Sequence, residues 1–264
     1  MPRLKFTLAY EGTRYAGWQM QATTVKGHPP TVQGVLEACV SAVTGCRIPV
    51  HGAGRTDAGV HAEAQVCHCD LPADKAGVDW LRALNAYLPS DIRILQAEWV
   101  DKSFHSRKSA SRKRYAYTLW THRQRAVPRV QAFVWSCPVL DHARMEEAAR
   151  LVTGKRDFSS FRNSGADNRD NTRTLFSVDF RPGMLADMQC PDGWPVLGIV
   201  FEGDGFLRQM VRNLVGLIVW AGQGKIVPEA IPAIFEACDR RALPSPSAPA
   251  QGLTLLQVVY PETV

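Results

Sequence analysis

The chain has 264 residues, 45% hydrophobic and 21% charged, enough for one large domain or two small ones with real cores. That composition excludes a disordered chain, a collagen-like repeat and a disulfide-stapled mini-protein. The net charge of +6 is local: residues 102–140 hold nine Lys or Arg and no Asp or Glu, while the remainder holds 22 basic and 25 acidic residues.

Met1–Tyr10 has neither an apolar core nor an A-x-A site, so no signal peptide is expected. Lys5–Tyr10 alternates as a strand. Thr31 then reads as the N-cap of a helix that buries Val32, Val35, Leu36, Cys39, Val40 and Val43 and stops at Gly45. Arg47–His51 and Ala64–Leu71 read as short strands. A second helix covers about Val78 to Leu88, ended by Pro89, and Ile92–Val100 closes the unit. This βαββαβ order is the ferredoxin-like arrangement.

The second half echoes the first. Phe6-Thr7-Leu8 returns as Tyr117-Thr118-Leu119, Val43-Thr44-Gly45 as Val152-Thr153-Gly154, and Ile94-Leu95-Gln96 as Leu255-Leu256-Gln257. The wider offset of the last pair fits an insertion near Arg181–Pro195. A helix capped at Asp141 matches the one capped at Thr31, and a further helix is expected over Phe206–Trp220. There Leu207, Met210, Val211, Leu214 and Leu217 form an apolar stripe, and Arg208 and Arg212 share one face at i and i+4. The expected fold is α+β: two tandem ferredoxin-like halves, 1–105 and 106–264, sharing a mostly antiparallel sheet with a central active-site cleft.

The longest apolar run, Leu214–Gly222, is far short of the ~18 residues that span a bilayer, so no membrane partner is expected. Seven cysteines, none in a C-x-x-C pair, point to a reducing compartment and a cytoplasmic protein. In Cys67-His68-Cys69, strand alternation sends His68 away from both thiols, which argues against a metal site. In the basic stretch, Lys108, Arg112, Lys113 and Arg114 precede Tyr115, Tyr117 and Trp120. Cations beside aromatic faces suit a nucleic-acid surface, and equally a solvated face over core aromatics.

The most informative stretch is His51–His61, with Gly52, Gly54 and Gly59 within eight residues. It fails the dinucleotide fingerprint, because Asp57 stands where a third glycine is needed, and no Lys-Ser or Lys-Thr pair makes it a phosphate loop. What remains is a rigid turn presenting Arg55, Thr56 and Asp57 together. Its carboxylate suits a nucleophile, a general base or an Asx-turn residue bonded to its own backbone.

Gly54-Arg55-Thr56-Asp57-Ala58-Gly59-Val60-His61 resembles the signature of the tRNA pseudouridine synthase A family. The resemblance extends to Ala9-Tyr10-Glu11-Gly12-Thr13, Gly17-Trp18-Gln19, Phe104-His105-Ser106-Arg107 and Arg114-Tyr115-Ala116-Tyr117. It continues through Asp157-Phe158-Ser159-Ser160-Phe161, Arg173-Thr174, Met210–Gly216 and Ala248–Leu253. The sequence departs from the family pattern in a longer loop at 22–30 and in lacking a cysteine within 164–170.

The resemblance implies an isomerase that converts uridine to pseudouridine in the tRNA anticodon stem-loop, at positions 38, 39 and 40, with no metal or organic cofactor. It places Asp57 as the nucleophile and Tyr115 as the residue that stacks on the flipped base. It makes Arg212 the cation that keeps the carboxylate ionised, Arg55 a holder of the nucleotide and Leu253 a pocket wall. Arg107, Lys108, Arg112, Lys113 and Arg208 are its candidate RNA-backbone contacts, and a homodimer binding tRNA is its implied assembly. From the residues alone, Tyr115 reads equally as core, and Arg212 as a surface arginine pairing with Glu202 or Asp204. Two rival classes stay open, a non-catalytic RNA-binding protein and a nucleoside hydrolase or glycosylase using the same carboxylate.

Overall fold

A computed structural model describes residues 1–20, 28–137, 139–163 and 170–261. Most of the longer 22–30 loop and of the 164–170 stretch therefore lies outside the described residues. The chain divides into two compact α+β units, one of Met1–Ser111 with the chain from Leu255 onward, the other of Arg112–Thr254. The sequence reading put the boundary after residue 105 and the tail in the second half.

In the first unit the order is β1 (Arg3–Tyr10), α1 (Val32–Thr44), β2 (His51–Gly52), β3 (His61–Asp70), α2 (Trp80–Tyr87) and β4 (Ile92–Val100). β1 runs antiparallel to both β3 and β4, and β2 is antiparallel to β3. Along β1, Leu4, Phe6, Leu8 and Tyr10 are buried while the residues between them are not. Each large apolar side chain so buried contributes about 1.5–3 kcal/mol. The caps fall where the side chains dictate: Thr31 Oγ1 accepts from Gly34 N (3.2 Å), and Asp79 Oδ1 accepts from Arg82 N (3.1 Å).

The strand expected over Arg47–His51 is reduced to His51–Gly52. The reason lies in α1, whose Gln33 and Glu37 occupy the backbone of Val50. Gln33 Nε2 donates to Val50 O (3.1 Å), and Val50 N donates to Glu37 Oε1 (3.0 Å). Those groups are the ones a strand offers its neighbour. On the edge strand β4, Asn85 of α2 plays a related part, accepting from Ile94 N and donating to Ile94 O, both at 2.9 Å.

The second unit contains β5 (Arg112–Trp120), α3 (Pro128–Gln131), β6 (Trp135–Ser136), α4 (His142–Val152), β7 (Gly154–Asp157) and β8 (Thr172–Pro182). It continues with β9 (Met184–Leu185), β10 (Met188–Gln189), β11 (Val196–Gly203), α5 (Met210–Gly222), α6 (Ile231–Glu236) and the start of β12 (Leu253–Val259). The sheet order is β5-β11-β8-β7, all antiparallel, with β6 parallel to β5. The hairpin of β9 and β10 occupies the insertion expected at 181–195. From Leu255, β12 belongs with the first unit because it neighbours β3 there.

The helix expected over Phe206–Trp220 begins only at Met210. Gln209 has φ +59, a left-handed conformation that interrupts any helix entering from Phe206. Arg208 therefore stands outside α5, and the helical face it was to share with Arg212 does not exist. Within α5, Asn213 is fully buried and stitches three segments. Its Nδ2 donates to Phe161 O (2.8 Å) and Asn163 Oδ1 (3.1 Å), and its Oδ1 accepts from Arg240 and Ser247. Asn213→Ala is expected to destabilise the protein by about 2–3 kcal/mol in urea denaturation, since the Phe161 carbonyl is left buried without its donor. A loss under about 0.5 kcal/mol would show that this network carries no stability.

Candidate active site

The glycine-rich turn, residues 53–60 between β2 and β3, is held on both sides by its own unit. Ala53 N donates to Val66 O (2.7 Å), and the buried Gln65 donates to Gly54 O (2.9 Å). Trp18 N donates to Thr56 O (3.0 Å), and Val60 N closes the turn onto Asp57 O (3.2 Å). Thr56 was expected to be presented with Arg55 and Asp57. It is instead buried, its hydroxyl 2.8 Å from Tyr10 Oη. Asp57 is half-buried and Arg55 exposed.

The turn is also clamped by the segment after β1. A Cβ on Gly12 would lie 2.0 Å from Val60 O. One on Gly17 would lie 2.6 Å from Thr56 O and 3.0 Å from the Asp57 carbonyl carbon. Gly17 also has φ +94, which L side chains rarely adopt. Gly12 N donates to His61 Nδ1 (3.0 Å), which leaves the proton of a neutral imidazole on Nε2. Burial pushes the Tyr10 phenol up to about 12, against the pull of its hydrogen bonds to Thr56 and Gln65, so it supports the turn as a neutral group.

Asp91 fixes the 11–18 segment in turn. Its backbone carbonyl accepts from Glu11 N (2.9 Å), and its carboxylate accepts from Tyr15 Oη (2.7 Å) and Arg14 (2.6 Å). Burial works to raise its pKa, but the bonds from Tyr15 and Arg14 outweigh that and hold it below the ordinary carboxylate value. A pKa depressed by folding adds stability above the unfolded value, near ~4, and that stability is lost as pH falls through the folded value. Asp91→Asn is thus expected to lower stability at pH 7 by about 1–3 kcal/mol, with the gap closing in acid. A gap that persists unchanged down to pH 3 would contradict this role for the charge.

In the second unit, Tyr115 lies on β5, buried, with its ring edge-on to Phe206 at 5.1 Å. Two positions on, Tyr117 Oη donates to Pro249 O (2.8 Å), tying β5 to the segment before Leu253, which is also buried. Arg212 and Ala248 bond reciprocally, Arg212 Nε to Ala248 O (2.7 Å) and Ala248 N to Arg212 O (3.0 Å). Glu202 accepts from Arg112 (2.9 Å), and Asp204 accepts from Thr174 N (3.0 Å).

Comparison with known proteins places these motifs. A family model described as tRNA pseudouridine synthase matches residues 7–107 and 148–261. The chain is 48% identical to tRNA pseudouridine synthase A of Oleidesulfovibrio alaskensis, over 99% of this chain and 98% of that protein. It is 45% identical to the Nitratidesulfovibrio vulgaris protein of the same name, over 98% and 100%, and 39% identical to that of Geobacillus kaustophilus, over 98% and 94%. The chain belongs to the tRNA pseudouridine synthase family.

Membership makes it an isomerase, and the synthase motifs divide between positioning and display. Phe158 and Phe161 of the Asp157–Phe161 motif pack with Phe235 in the core, at 5.4 and 4.8 Å. Ser106 of the Phe104–Arg107 motif ties the histidines down, donating to His51 O (2.7 Å) while its N–H meets His68 Nδ1 (3.2 Å). His68 stacks on His51 and meets His105 edge-on, with Cys67 and Cys69 buried apart from that cluster. Arg107 and Lys108 are exposed on a turn whose N–H groups both point at His105 Nδ1. Arg112 lies over the Phe176 ring at 4.8 Å as well as on Glu202, and Lys113 is half-buried. Arg55, Asp57, Arg107 and Lys108 thus belong to the first unit, and Arg112, Lys113, Tyr115, Arg208, Arg212 and Leu253 to the second. The sequence reading did not single out Tyr10 and Gln65 as supports of the turn. The alternation of β1 marks Tyr10 as buried, and a buried phenol requires a partner.

Proposed function

We propose that this synthase isomerises uridine in the tRNA anticodon stem-loop, at positions 38, 39 and 40, with Asp57 as the nucleophile. The observation that carries the reading is the over-anchored turn. Tyr10 anchors it through the Thr56 hydroxyl and Trp18 and Gln65 through its backbone, with Gly17 packed against it, which suits a carboxylate presented from a fixed place. In the reaction the N1–C1′ bond breaks, a C5–C1′ bond forms, C5 loses its hydrogen as a proton and N1 gains one. It is redox-neutral and uses no cofactor.

Tyr115 stacks on the flipped base, Arg212 keeps Asp57 ionised, Arg55 holds the nucleotide, and Leu253 walls the pocket. These roles rest on the motifs that contain each residue. Arg107, Lys108, Arg112, Lys113 and Arg208 contact RNA phosphates. We infer two ferredoxin-like halves, 1–105 and 106–264. Supporting them are the βαββαβ order of the first unit and the echoed tripeptides, each pair of which falls on like elements: β1 and β5, the ends of α1 and α4, β4 and β12. The protein acts as a cytoplasmic homodimer, which follows the family resemblance. Seven free cysteines fit that compartment, and among the described residues no helix is long and apolar enough to cross a membrane.

The test is to incubate the protein with unmodified tRNA and map pseudouridine nucleotide by nucleotide. Pseudouridine at positions 38–40 supports the reading. Pseudouridine confined to another stem, or none at all, overturns it.

A further inference from the structure

Past the end of β5, the second unit builds a small satellite core. Trp120, Ala126, Val130, Val134, Cys190 and Val196 are buried together, linking the 121–134 loop to the segment around β9 and β10. Hydrogen bonds fix that loop. Trp120 Nε1 donates to Gln124 O, Thr121 N to Pro195 O and Cys137 N to Trp120 O, each at 2.8 Å.

Outward, the same loop carries Arg123, Arg125 and Arg129, all exposed. Among the described residues none of the three has a hydrogen-bond or ion-pair partner. Residues 121–140 contain no acidic side chain, and Asp187 and Asp192 of the neighbouring insertion pair with none of these arginines. Solubility alone does not require this, because exposed cations on a mobile loop serve it equally well. A loop held by its own apolar cluster instead presents three guanidinium groups from an anchored backbone. That suits a partner with regularly spaced anionic oxygens.

We propose that Arg123, Arg125 and Arg129 form a second RNA-contact surface that grips backbone phosphates of the tRNA. The inference rests on the reading above that tRNA is the substrate. From Tyr115 to Trp120 the strand advances about 17 Å. The phosphates engaged here therefore lie outside the nucleotide stacked at Tyr115, and the surface contributes to affinity and placement without touching the chemistry.

The test compares wild type with the triple variant R123Q/R125Q/R129Q, measuring tRNA affinity from 50 to 200 mM salt and tritium release from C5-labelled uridine. The variant is expected to bind about tenfold more weakly at 150 mM salt, with a slope of log K against log salt shallower by up to ~2.7. Its turnover at saturating tRNA should match wild type. The triple Arg→Lys variant should recover part of the affinity, because point charges still meet phosphates without the bidentate fork, which a merely structural role would not predict. Unchanged affinity and slope in the glutamine variant, with wild type binding and converting tRNA, would overturn this inference alone and leave the loop to an acidic protein partner or to none. Wild type that binds no tRNA would overturn this inference and the proposed substrate together.

Discussion

Asp57→Asn is expected to lower the rate of isomerisation by roughly 10⁴-fold or more while leaving tRNA affinity within a few-fold of wild type. The substitution keeps the size and planarity of the side chain and removes the negative charge that makes the carboxylate a nucleophile. The turn is held through backbone groups and through Thr56, Gly54 and Val60, and asparagine keeps an acceptor oxygen where the carboxylate stood. Thermal unfolding should therefore be little changed, which separates lost chemistry from lost structure. Single-turnover release of tritium from uridine C5 reads the rate, and filter binding reads the affinity. A variant that retains full turnover would remove Asp57 from the mechanism.

The second large effect is expected at Gly17, a residue with no chemistry of its own. Gly17→Ala pushes a methyl into the Thr56 carbonyl at a φ of +94, and the two penalties together are about 2–5 kcal/mol. Relieving the clash separates the Gly17 segment from the backbone of Thr56 and Asp57 and loosens the turn, so kcat should fall by about 10²-fold even in the folded fraction. Gly45 supplies the control. It also has positive φ, at +77, but its missing side chain would meet nothing within 4 Å. Gly45→Ala should cost about 1 kcal/mol and leave kcat unchanged. Equal effects of the two substitutions on kcat would show that contact with the Asp57 turn is not what Gly17 provides.

The elements were legible where a local signal sufficed. Thr31 and Gly45 bound α1, Asp79 caps α2, and the alternation of β1 defines its buried face. Local sequence misleads where a distant partner decides. Val50 satisfies its backbone on Gln33 and Glu37 of a helix, so Arg47–His51 never becomes the strand its residues suggest. Phe206–Gln209 continues an apolar stripe, yet Gln209 turns left-handed and strands Arg208 outside α5. For the site, three glycines and a carboxylate announced the turn at 53–60. Neither the burial of Thr56 nor the clamp from Gly12 and Gly17 was readable, since both depend on segments about 40 residues away meeting in space.

The central claim is that the Asp57 turn drives an intramolecular transfer of the base. It is tested most directly with unmodified tRNA carrying tritium at uridine C5 and carbon label in the base ring, following both labels in one reaction. One tritium released per pseudouridine formed, with all of the ring carbon kept in the RNA, is the predicted result. Ring carbon released as free uracil would make the protein a glycosylase, and tRNA bound with both labels retained would make it a binding protein. Either outcome contradicts the account.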